Sequence, residues 1–223
     1  MPPCDLAEKG WQSSVPKQLM SAPQKPYDKS YFDKWYRNAR YRVSTPARTA
    51  RKVALAVTVA EYYLEHPVRT VLDVGCGEGQ WFGALKRLRP GIRYTGVDPS
   101  EYAVRRFGGR RNLRAGGFGN LDGLGLASAY DLIVCSDVLY YVPQRELEQG
   151  LRALTLRMGG IAFLEAYATD APLVGDMHLM QKRSAGFYKR LFRKHGLVSC
   201  GPHCYVGAPL ARTVTALERG GID

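Results

Sequence analysis

Apolar and polar residues follow two alternating patterns along the chain. Short apolar runs at 70–74, 93–97, 113–115, 131–135 and 161–167 each end near Gly, Pro or Asp, which is typical of buried strands. Segments with helical spacing of apolar residues lie between or after them, at 80–88, 100–107, 144–156 and 184–195. Repeated strand–helix units predict a mainly parallel sheet with helices on both faces. Two further strands are predicted at 197–205 and 213–218, and their short connection requires antiparallel pairing. We therefore expect an α/β fold with a seven-stranded, mostly parallel sheet and an antiparallel last strand.

The region before the first strand divides into two parts. Residues 1–24 are rich in Pro, Ser, Gln and Lys and predict a flexible leader. Aromatic residues then recur every few positions between 27 and 41, which predicts one face of a helix. Thr45 and Pro46 form a good N-cap and first-turn pair for a helix that Pro67 would stop after about His66. The predicted organisation is a leader at 1–24, an N-terminal helical extension at 25–66 and the main domain at 67–223.

Composition restricts the class of protein further. Apolar residues make up 45% of the 223 residues, which is enough for a full core. No apolar run reaches 18 residues and the N-terminus lacks a signal-peptide pattern, so no membrane association is expected. The five scattered cysteines do not resemble a secreted disulfide scaffold, which favours a reducing, cytoplasmic compartment. The net charge of +12 permits nucleic acid, anionic small molecules or acidic surfaces as partners, or a merely solvated surface, and does not choose among them.

A glycine loop carries the first chemical signal. The apolar strand at 71–74 runs into Gly75, Gly77 and Gly79, where the backbone can approach a ligand that a Cβ would obstruct. The following helix start presents free N–H groups to an anionic group. Dinucleotide enzymes prefer a further glycine at the position held here by Gln80. Asp98, 19 residues after Gly79, ends the second strand and can accept hydrogen bonds from ribose hydroxyls, although an NAD-binding protein would use it in the same way.

A third signal follows the fourth strand, where 130–143 reads Tyr-Asp-Leu-Ile-Val-Cys-Ser-Asp-Val-Leu-Tyr-Tyr-Val-Pro. All three signals lie at the carboxyl ends of strands, where open α/β sheets bind ligands. With Val-Leu-Asp-Val-Gly-Cys-Gly-Glu-Gly at 71–79 and Gly-Val-Asp-Pro-Ser at 96–100, the ordered motifs at 70–167 resemble a class I methyltransferase dependent on S-adenosylmethionine (SAM). The Val-Leu-Tyr-Tyr tail is similar to small-molecule and nodulation-type N-methyltransferases. The resemblance implies a Rossmann-like domain, SAM as cofactor and transferase activity.

The resemblance also implies roles for individual residues. The residues expected to contact the cofactor are Asp73, Gly75, Cys76, Gly77, Gly79, Asp98, Pro99 and Cys135. In this assignment the glycines wrap the methionine part, Asp73 helps to hold its amino group, Pro99 packs on adenine and the Cys135 carbonyl lies near the amino group. Glycine stands where the family often has an aspartate for adenine, so Phe118, Asn120 or Asp122 are the alternatives. The aromatic segment with Tyr27, Tyr31, Trp35 and Tyr36 could close over SAM as a lid or simply dock a helix, and Arg37 or Arg42 could meet the SAM carboxylate.

The sequence leaves several alternatives open for the methyl acceptor. Methyl transfer by in-line displacement depends on orientation, and a general base helps a hydroxyl more than an amine. His178 and Tyr140 are the candidate catalytic residues, with Tyr141, Glu165 and Tyr167 at the same edge. We expect a small-molecule acceptor, anionic acceptors included, with N, O or S as the methylated atom. RNA, protein or a non-catalytic SAM-binding role are the alternatives. No metal is expected, because Cys200, His203 and Cys204 give one ligand too few for a closed zinc site. The oligomeric state is left open.

Overall fold

The computed structural model describes residues 25–169 and 175–214. The predicted leader at 1–24 and positions 215–218 of the predicted last strand therefore lie outside the described residues.

The described elements alternate as the apolar pattern requires. The helices are α1 (Lys29–Phe32), α2 (Pro46–Leu64), α3 (Phe82–Leu88), α4 (Glu101–Arg111), α5 (Gln144–Thr155), α6 (Ala185–Lys194) and α7 (Ala208–Val214). The strands are β1 (Thr70–Val74), β2 (Arg93–Asp98), β3 (Leu113–Ala115), β4 (Tyr130–Cys135), β5 (Met158–Leu164), β6 (Val198–Gly201) and β7 (Cys204–Val206). A π-helical turn at Asp33–Arg37 follows α1, and 3-10 turns lie at Phe118–Leu124 and Leu139–Tyr141.

The strands form one seven-stranded sheet in the order β3-β2-β1-β4-β5-β7-β6. Every pairing among β1 to β5 is parallel, while β7 is antiparallel to both β5 and β6. This arrangement confirms the predicted fold class, including the antiparallel last strand. The strand order reverses between β1 and β4, so the ligand-binding position of such a sheet lies beyond the carboxyl ends of these two strands.

Alternate residues of the strands point to two apolar layers. Val71 belongs to one layer with Val53 of α2 and Leu85 of α3, whereas its neighbour Leu72 belongs to the other with Leu147 of α5. All five side chains are at most 1% exposed. Burial of side chains of this kind is the main source of stability in such a layered fold, at roughly 1.5–3 kcal/mol each. Because α2 is part of this core, the predicted extension at 25–66 is anchored to the sheet through its second half.

Three helix starts have side-chain caps, including the one predicted at Thr45. The side chains of Thr45, Ser100 and Ser184 each accept a hydrogen bond from a backbone N–H in the first turn of α2, α4 and α6, respectively. The helix α2 ends at Leu64, two residues earlier than predicted, because Glu65 adopts a left-handed conformation at φ 59°. These caps fix where each helix leaves the sheet edge.

The C-terminal strands differ from the prediction. The single strand predicted at 197–205 is a hairpin, β6–β7, that turns at Pro202 and His203, where His203 has φ 60°. Proline cannot donate to a strand ladder, so the chain reverses at this point. Positions 213 and 214 of the strand predicted at 213–218 belong to α7 instead. The fifth strand ends at Leu164 rather than at Tyr167, so residues 165–167 leave the sheet and face the region beyond its edge.

The aromatic segment at 27–41 is also not one regular helix. Its helical part comprises α1 and the π-helical turn, and the extended backbone of Asn38 (φ −69°, ψ 119°) ends it. In the described ranges, no helix has both the length and the apolar character needed to cross a membrane.

Candidate functional site

A cavity of about 360 Å³ lies beyond the carboxyl ends of β1, β2 and β4. Its other wall is the N-terminal segment, including the start of α2. The lining residues are Tyr27, Tyr31, Phe32, Trp35, Tyr36, Arg42, Val43, Ser44, Arg48, Thr49, Lys52, Asp73, Gly75, Cys76, Gly77, Gln80, Trp81, Asp98, Pro99, Ser136, Asp137, Val138, Tyr140, Tyr141, Tyr167, Gly175 and Asp176. The cavity therefore occupies the switch point of the sheet.

The glycine loop forms the floor of this cavity. Gly75 has φ +73°, and a Cβ there would lie 2.3 Å from Val138 Cγ2. Gly77 has φ +55°, and a Cβ would lie 2.9 Å from Tyr36 Oη. Any side chain at these positions would thus meet both backbone strain and a neighbouring atom. The N–H groups of Gly75 and Cys76 donate to the Val97 carbonyl at 2.7 and 3.1 Å, which fixes the loop against β2.

Asp98 stands at the end of β2, directly beside the loop. Its carboxylate accepts the Gly77 N–H at 2.6 Å and the Ser100 N–H at 2.9 Å, and the residue is 6% exposed. Burial raises the pKa of Asp98, and these two hydrogen bonds oppose the rise. The result is a nearly buried acceptor group that is fixed by the backbone and borders the cavity.

Asp73, on β1, is the second buried carboxyl at this end. It is 2% exposed and accepts a hydrogen bond from the Tyr94 hydroxyl at 2.7 Å. Burial raises the pKa of Asp73 to about 7, with the Tyr94 bond opposing and the charge of Asp98 adding to the shift. Asp73 can therefore change its charge near neutral pH, and a cation beside it would favour the ionised form.

Aromatic residues of the N-terminal segment cover the loop. Tyr31 lies edge-to-face with Tyr27 at 5.1 Å and with Phe32 at 5.5 Å between ring centroids. Phe32 is buried and stacks at 5.7 Å on Tyr102 of α4. The Ser100 hydroxyl donates to the Tyr27 carbonyl at 2.5 Å, and so ties the segment to the start of α4. The cover is thus packed on the domain rather than detached from it.

Two further contacts hold this segment in place. Arg37 donates to both carboxylate oxygens of Glu78, at 2.6 and 2.7 Å, and to Asp33 at 2.9 Å. Lys25 pairs with Asp176 at 2.8 Å while its ammonium lies 3.4 Å from the centroid of the Tyr141 ring. Arg37 is therefore engaged by Glu78, whereas Arg42 lines the cavity from an exposed position at its rim.

A charged cluster lies beyond the carboxyl ends of β4 and β5. Lys52 of α2 donates to Glu165 at 2.5 Å, to Ser136 at 3.3 Å and to Asp137 at 3.5 Å. Ser136 also donates to Glu165 at 2.7 Å, and the Tyr167 hydroxyl donates to the same carboxylate at 3.3 Å. Burial opposes ionisation of Glu165, but the ammonium of Lys52 outweighs it and keeps the pKa of that carboxyl below its ordinary value.

The structure brings most of the predicted site residues to one cavity. The predicted residues that line it are Asp73, Gly75, Cys76, Gly77, Asp98, Pro99, Tyr31, Trp35 and Tyr140. They come from four separate parts of the chain: the N-terminal segment, β1 with its loop, the end of β2 and the turn after β4.

Four predicted residues lie outside this lining. His178 is exposed, and its backbone N–H donates to Asp176, so the structure does not place its imidazole in the cavity. Phe118 is 5% exposed and packs in the core against Gly150, where a Cβ would lie 2.1 Å from Phe118 Cδ1. The Cys135 carbonyl accepts the Glu165 N–H at 2.9 Å, and Gly79 (φ +80°) faces Arg111 and Leu113.

The two polar alternatives to Phe118 are also engaged elsewhere. Asn120 accepts the Gly117 N–H at 2.8 Å, and Asp122 pairs with Arg157 at 2.9 Å. Neither lines the cavity. As for metals, the described parts of the chain hold no group of three or more His, Cys, Asp or Glu side chains arranged to bind an ion.

Sequence reasoning did not identify several lining residues. They include Lys52, Asp137 and Trp81, whereas Tyr27 and Tyr36, which also border the cavity, belong to the aromatic segment expected as a lid. Asp137 was visible as the residue after Ser136 in the third motif, and its φ of 62° marks it as unusual only in the structure. Lys52 is one of several basic residues near the start of α2, and nothing in the sequence distinguishes it from its neighbours.

Comparisons with known proteins agree with this geometry. Residues 72–160 match the family model of a methyltransferase domain. Two curated relatives from Mycobacterium leprae, the uncharacterized methyltransferases of strains Br4923 and TN, are each 30% identical over 172 residues. The match covers 70% of this chain, and the chain spans 62% of the length of those relatives.

Solved structures share the fold at low sequence identity. Streptomyces venezuelae DesVI aligns with a TM-score of 0.56 at 16% identity, over 72% of this chain and 92% of that one. A SAM-dependent methyltransferase from Archaeoglobus fulgidus gives 0.54 at 17% identity, over 70% and 71% of the two chains. The plantazolicin methyltransferase BpumL, in complex with a pentazolic desmethylPZN analog and SAH, gives 0.57 at 16% identity, over 69% and 65%.

The matched domain, the methyltransferase relatives and the shared fold therefore agree with the motifs at 71–79 and 96–100. Over residues 72–160 the chain is similar to methyltransferase domains, and its sheet shares the fold of the solved methyltransferase structures.

Proposed function

We propose that this protein is a SAM-dependent methyltransferase that methylates a small-molecule acceptor. The observation that carries the proposal is one cavity that is lined by the glycine loop and Asp98, by Lys52, Ser136 and Asp137 of a charged cluster, and by the aromatic cover. Such an enclosed, largely aromatic cavity with a few placed polar groups is typical of small-molecule sites.

The residues at the glycine end fit the cofactor. Gly75 and Gly77 have positive φ angles and line the cavity with backbone alone, so a ligand can lie against the loop without meeting a side chain of its own. Asp98 offers carboxylate oxygens for a ribose diol, and Asp73 a carboxyl for an amino group, while Arg42 at the rim suits a carboxylate. When bound, SAM supplies a methyl group on a positively charged sulfur.

The aromatic cover has two roles in this proposal. Tyr31 and Trp35 pack over the cofactor end and exclude water from it, which strengthens every electrostatic contact inside. Because the cover is held by contacts such as Lys25–Asp176, ligand entry requires these contacts to open. Tyr27 and Tyr31 have pKa values raised by burial, so both hydroxyls stay neutral.

Orientation supplies most of the rate in this account. The chain holds the acceptor between Tyr140 and the charged cluster, facing the cofactor end, so that the nucleophile and the methyl group are aligned. The fold relative BpumL, solved with a pentazolic desmethylPZN analog and SAH, is a plantazolicin methyltransferase, which supports a small-molecule acceptor here.

Turnover with labelled cofactor tests the proposal. The purified chain is incubated with methyl-labelled SAM and separate panels of small amines, phenols and thiols, with folded RNA and a basic protein as further arms. We expect label in one small-molecule panel, and loss of that signal in Asp98→Ala. Label only in RNA or protein would contradict the small-molecule assignment. Tight SAM binding without transfer to any panel would instead indicate a non-catalytic SAM-binding protein.

A further inference from the structure

The charged cluster beyond β4 and β5 has an unbalanced charge. It consists of one ammonium, Lys52, and two carboxyls, Glu165 and Asp137. The side chains of Lys52 and Glu165 are 13% and 3% exposed, whereas that of Asp137 is 31% exposed and lines the cavity. With both carboxyls ionised, the cluster presents one uncompensated negative charge to the ligand.

The geometry divides the roles of the two carboxyls. Lys52 approaches Glu165 to 2.5 Å but Asp137 only to 3.5 Å, so the close ion pair is Lys52–Glu165. Glu165 also accepts Ser136 and Tyr167 hydroxyl hydrogens, which leaves its carboxylate fully engaged. Asp137 accepts Lys52 at 3.5 Å and interacts with the Tyr167 hydroxyl, but it is the more exposed of the two carboxyls and the one that lines the cavity.

Three tyrosine rings line the cavity near this charge, and the Lys25 ammonium already lies over the ring of Tyr141. Tyr140 lies 4.3 Å from Tyr141 and 5.5 Å from Tyr167 between ring centroids, and all three rings line the same cavity. Ring faces attract cations, and a carboxylate beside them adds a directional partner. A site of this composition selects a positively charged group over a neutral one of the same shape.

We propose that this end of the cavity binds the methyl acceptor as a protonated amine, with Asp137 as the residue that receives its proton. Lys52 and Glu165 are positioning residues that hold Ser136 and Asp137 at the cavity wall. The inference rests on the proposed function and names its substrate class.

The proton and electron balance of the step is simple. One N–H bond of the ammonium breaks and its proton moves to a carboxylate oxygen of Asp137. The lone pair so released forms the N–C bond to the methyl carbon, while the C–S bond breaks and its electron pair stays on sulfur. The nitrogen becomes positively charged as it is methylated, and the surrounding rings and carboxylates stabilise that charge.

The titration of the two carboxyls agrees with these roles. Burial and the charge of Glu165 raise the pKa of Asp137, and Lys52 opposes the rise. Glu165 has its pKa held below the ordinary value by Lys52, so it remains the ionised partner. A pair of carboxyls whose environments separate their pKa values is typical of acid–base sites. The titratable or charged groups around Asp137 are Tyr36, Lys52, Cys135, Tyr140, Tyr141, Glu165 and Tyr167. Arg48 lies near Tyr167, but it is exposed and its charge is screened by water.

Binding of a matched pair of probes tests the inference without turnover. Benzylammonium and benzyl alcohol, similar in shape but not in charge, are titrated into the protein saturated with S-adenosylhomocysteine, with fluorescence of Trp35 and Trp81 as the signal. We expect benzylammonium to bind about tenfold more tightly, a difference of about 1.4 kcal/mol. Asp137→Asn, which keeps the shape and tolerates φ 62°, should abolish this preference. Asp122→Asn, an exposed acid outside the cavity, is the control and should keep it.

The pH dependence of benzylammonium affinity shows whether Asp137 acts through its charge or only through its effect on the structure. Benzylammonium affinity should fall as acid protonates Asp137, and this fall should be absent in Asp137→Asn. A wild-type protein that binds S-adenosylhomocysteine but shows no preference for benzylammonium refutes the amine site. A protein that does not bind S-adenosylhomocysteine at all refutes the proposed function instead.

Discussion

Replacement of Asp98 tests the cofactor end of the cavity most sharply. In the free protein its carboxylate accepts the Gly77 and Ser100 N–H groups, at 2.6 and 2.9 Å, in a position that is 6% exposed. Asp98→Ala removes these acceptors and the proposed ribose contacts together. Asp98→Asn keeps the shape and one carbonyl oxygen but removes the charge, and so separates the two effects.

The magnitude follows from the hydrogen bonds that each variant loses. Hydrogen bonds to a charged group contribute about 1.5–3 kcal/mol, so we expect cofactor affinity to fall roughly 10- to 150-fold in Asp98→Ala. Each buried N–H left without an acceptor costs about 1–3 kcal/mol of folding free energy, so this variant should also unfold at a lower temperature.

Calorimetry with S-adenosylhomocysteine measures the affinity, and thermal unfolding without ligand measures the stability. Asp98→Asn should lose affinity with a smaller loss of stability, because its carbonyl oxygen can still accept one N–H. A folded Asp98→Ala protein with unchanged affinity would show that this carboxylate does not contact the cofactor.

Three further changes probe the loop, the cover and the buried carboxyl. Gly77→Ala places a Cβ 2.9 Å from Tyr36 Oη at φ +55°, so ligand affinity measured by calorimetry should fall at least tenfold. The control Gly91→Ala has open space around the added Cβ and should leave the affinity unchanged. Lys25→Met removes the ion pair with Asp176, and stopped-flow fluorescence should show faster ligand dissociation; an unchanged rate would mean that the cover does not gate the site. Burial raises the pKa of Asp73 to about 7, so its contribution to folding stability is present at low pH and is lost as the pH rises from about 4 through 7. Affinity for the amino group of the ligand should instead rise over the same pH range, because the carboxyl becomes ionised. Asp73→Asn should flatten both profiles, and pH-dependent curves identical to wild type would exclude this residue as their source.

The apolar pattern predicted the sheet because the central parallel strands β1, β2, β4 and β5 are buried on both faces. The runs at 70–74 and 113–115 coincide with β1 and β3 to the residue, and β4 differs only by starting at Tyr130. The cap at Thr45 was predicted equally well, since it depends on a local hydrogen bond.

The sequence analysis predicted one strand where the structure has the C-terminal hairpin, although the sequence contains a signal for the turn. Apolar residues continue across 197–206, and only the Gly201–Pro202 pair indicates that the chain reverses there. The prediction gave more weight to the apolar run than to the turn signal. The prediction and the structure both have seven strands, because the strand wrongly predicted at 213–218 replaced β7 in the predicted number.

The cofactor end was more predictable than the acceptor end. Glycines, Asp73 and Asp98 lie in local motifs whose spacing is set by a strand, a turn and a helix. The charged cluster instead joins Lys52 to partners 84, 85 and 113 residues away, so only the folded chain brings them together. His178 was predicted as a catalytic base, but it lies on an exposed turn outside the cavity.

A crystal structure of the complex with S-adenosylhomocysteine tests the central claim most directly. We predict that its adenosine and homocysteine lie against Gly75 and Gly77 beneath Tyr31, with both ribose hydroxyls within hydrogen-bond distance of Asp98. Ligand density elsewhere on the protein, with Tyr36 still closed over an empty glycine loop, would contradict the account.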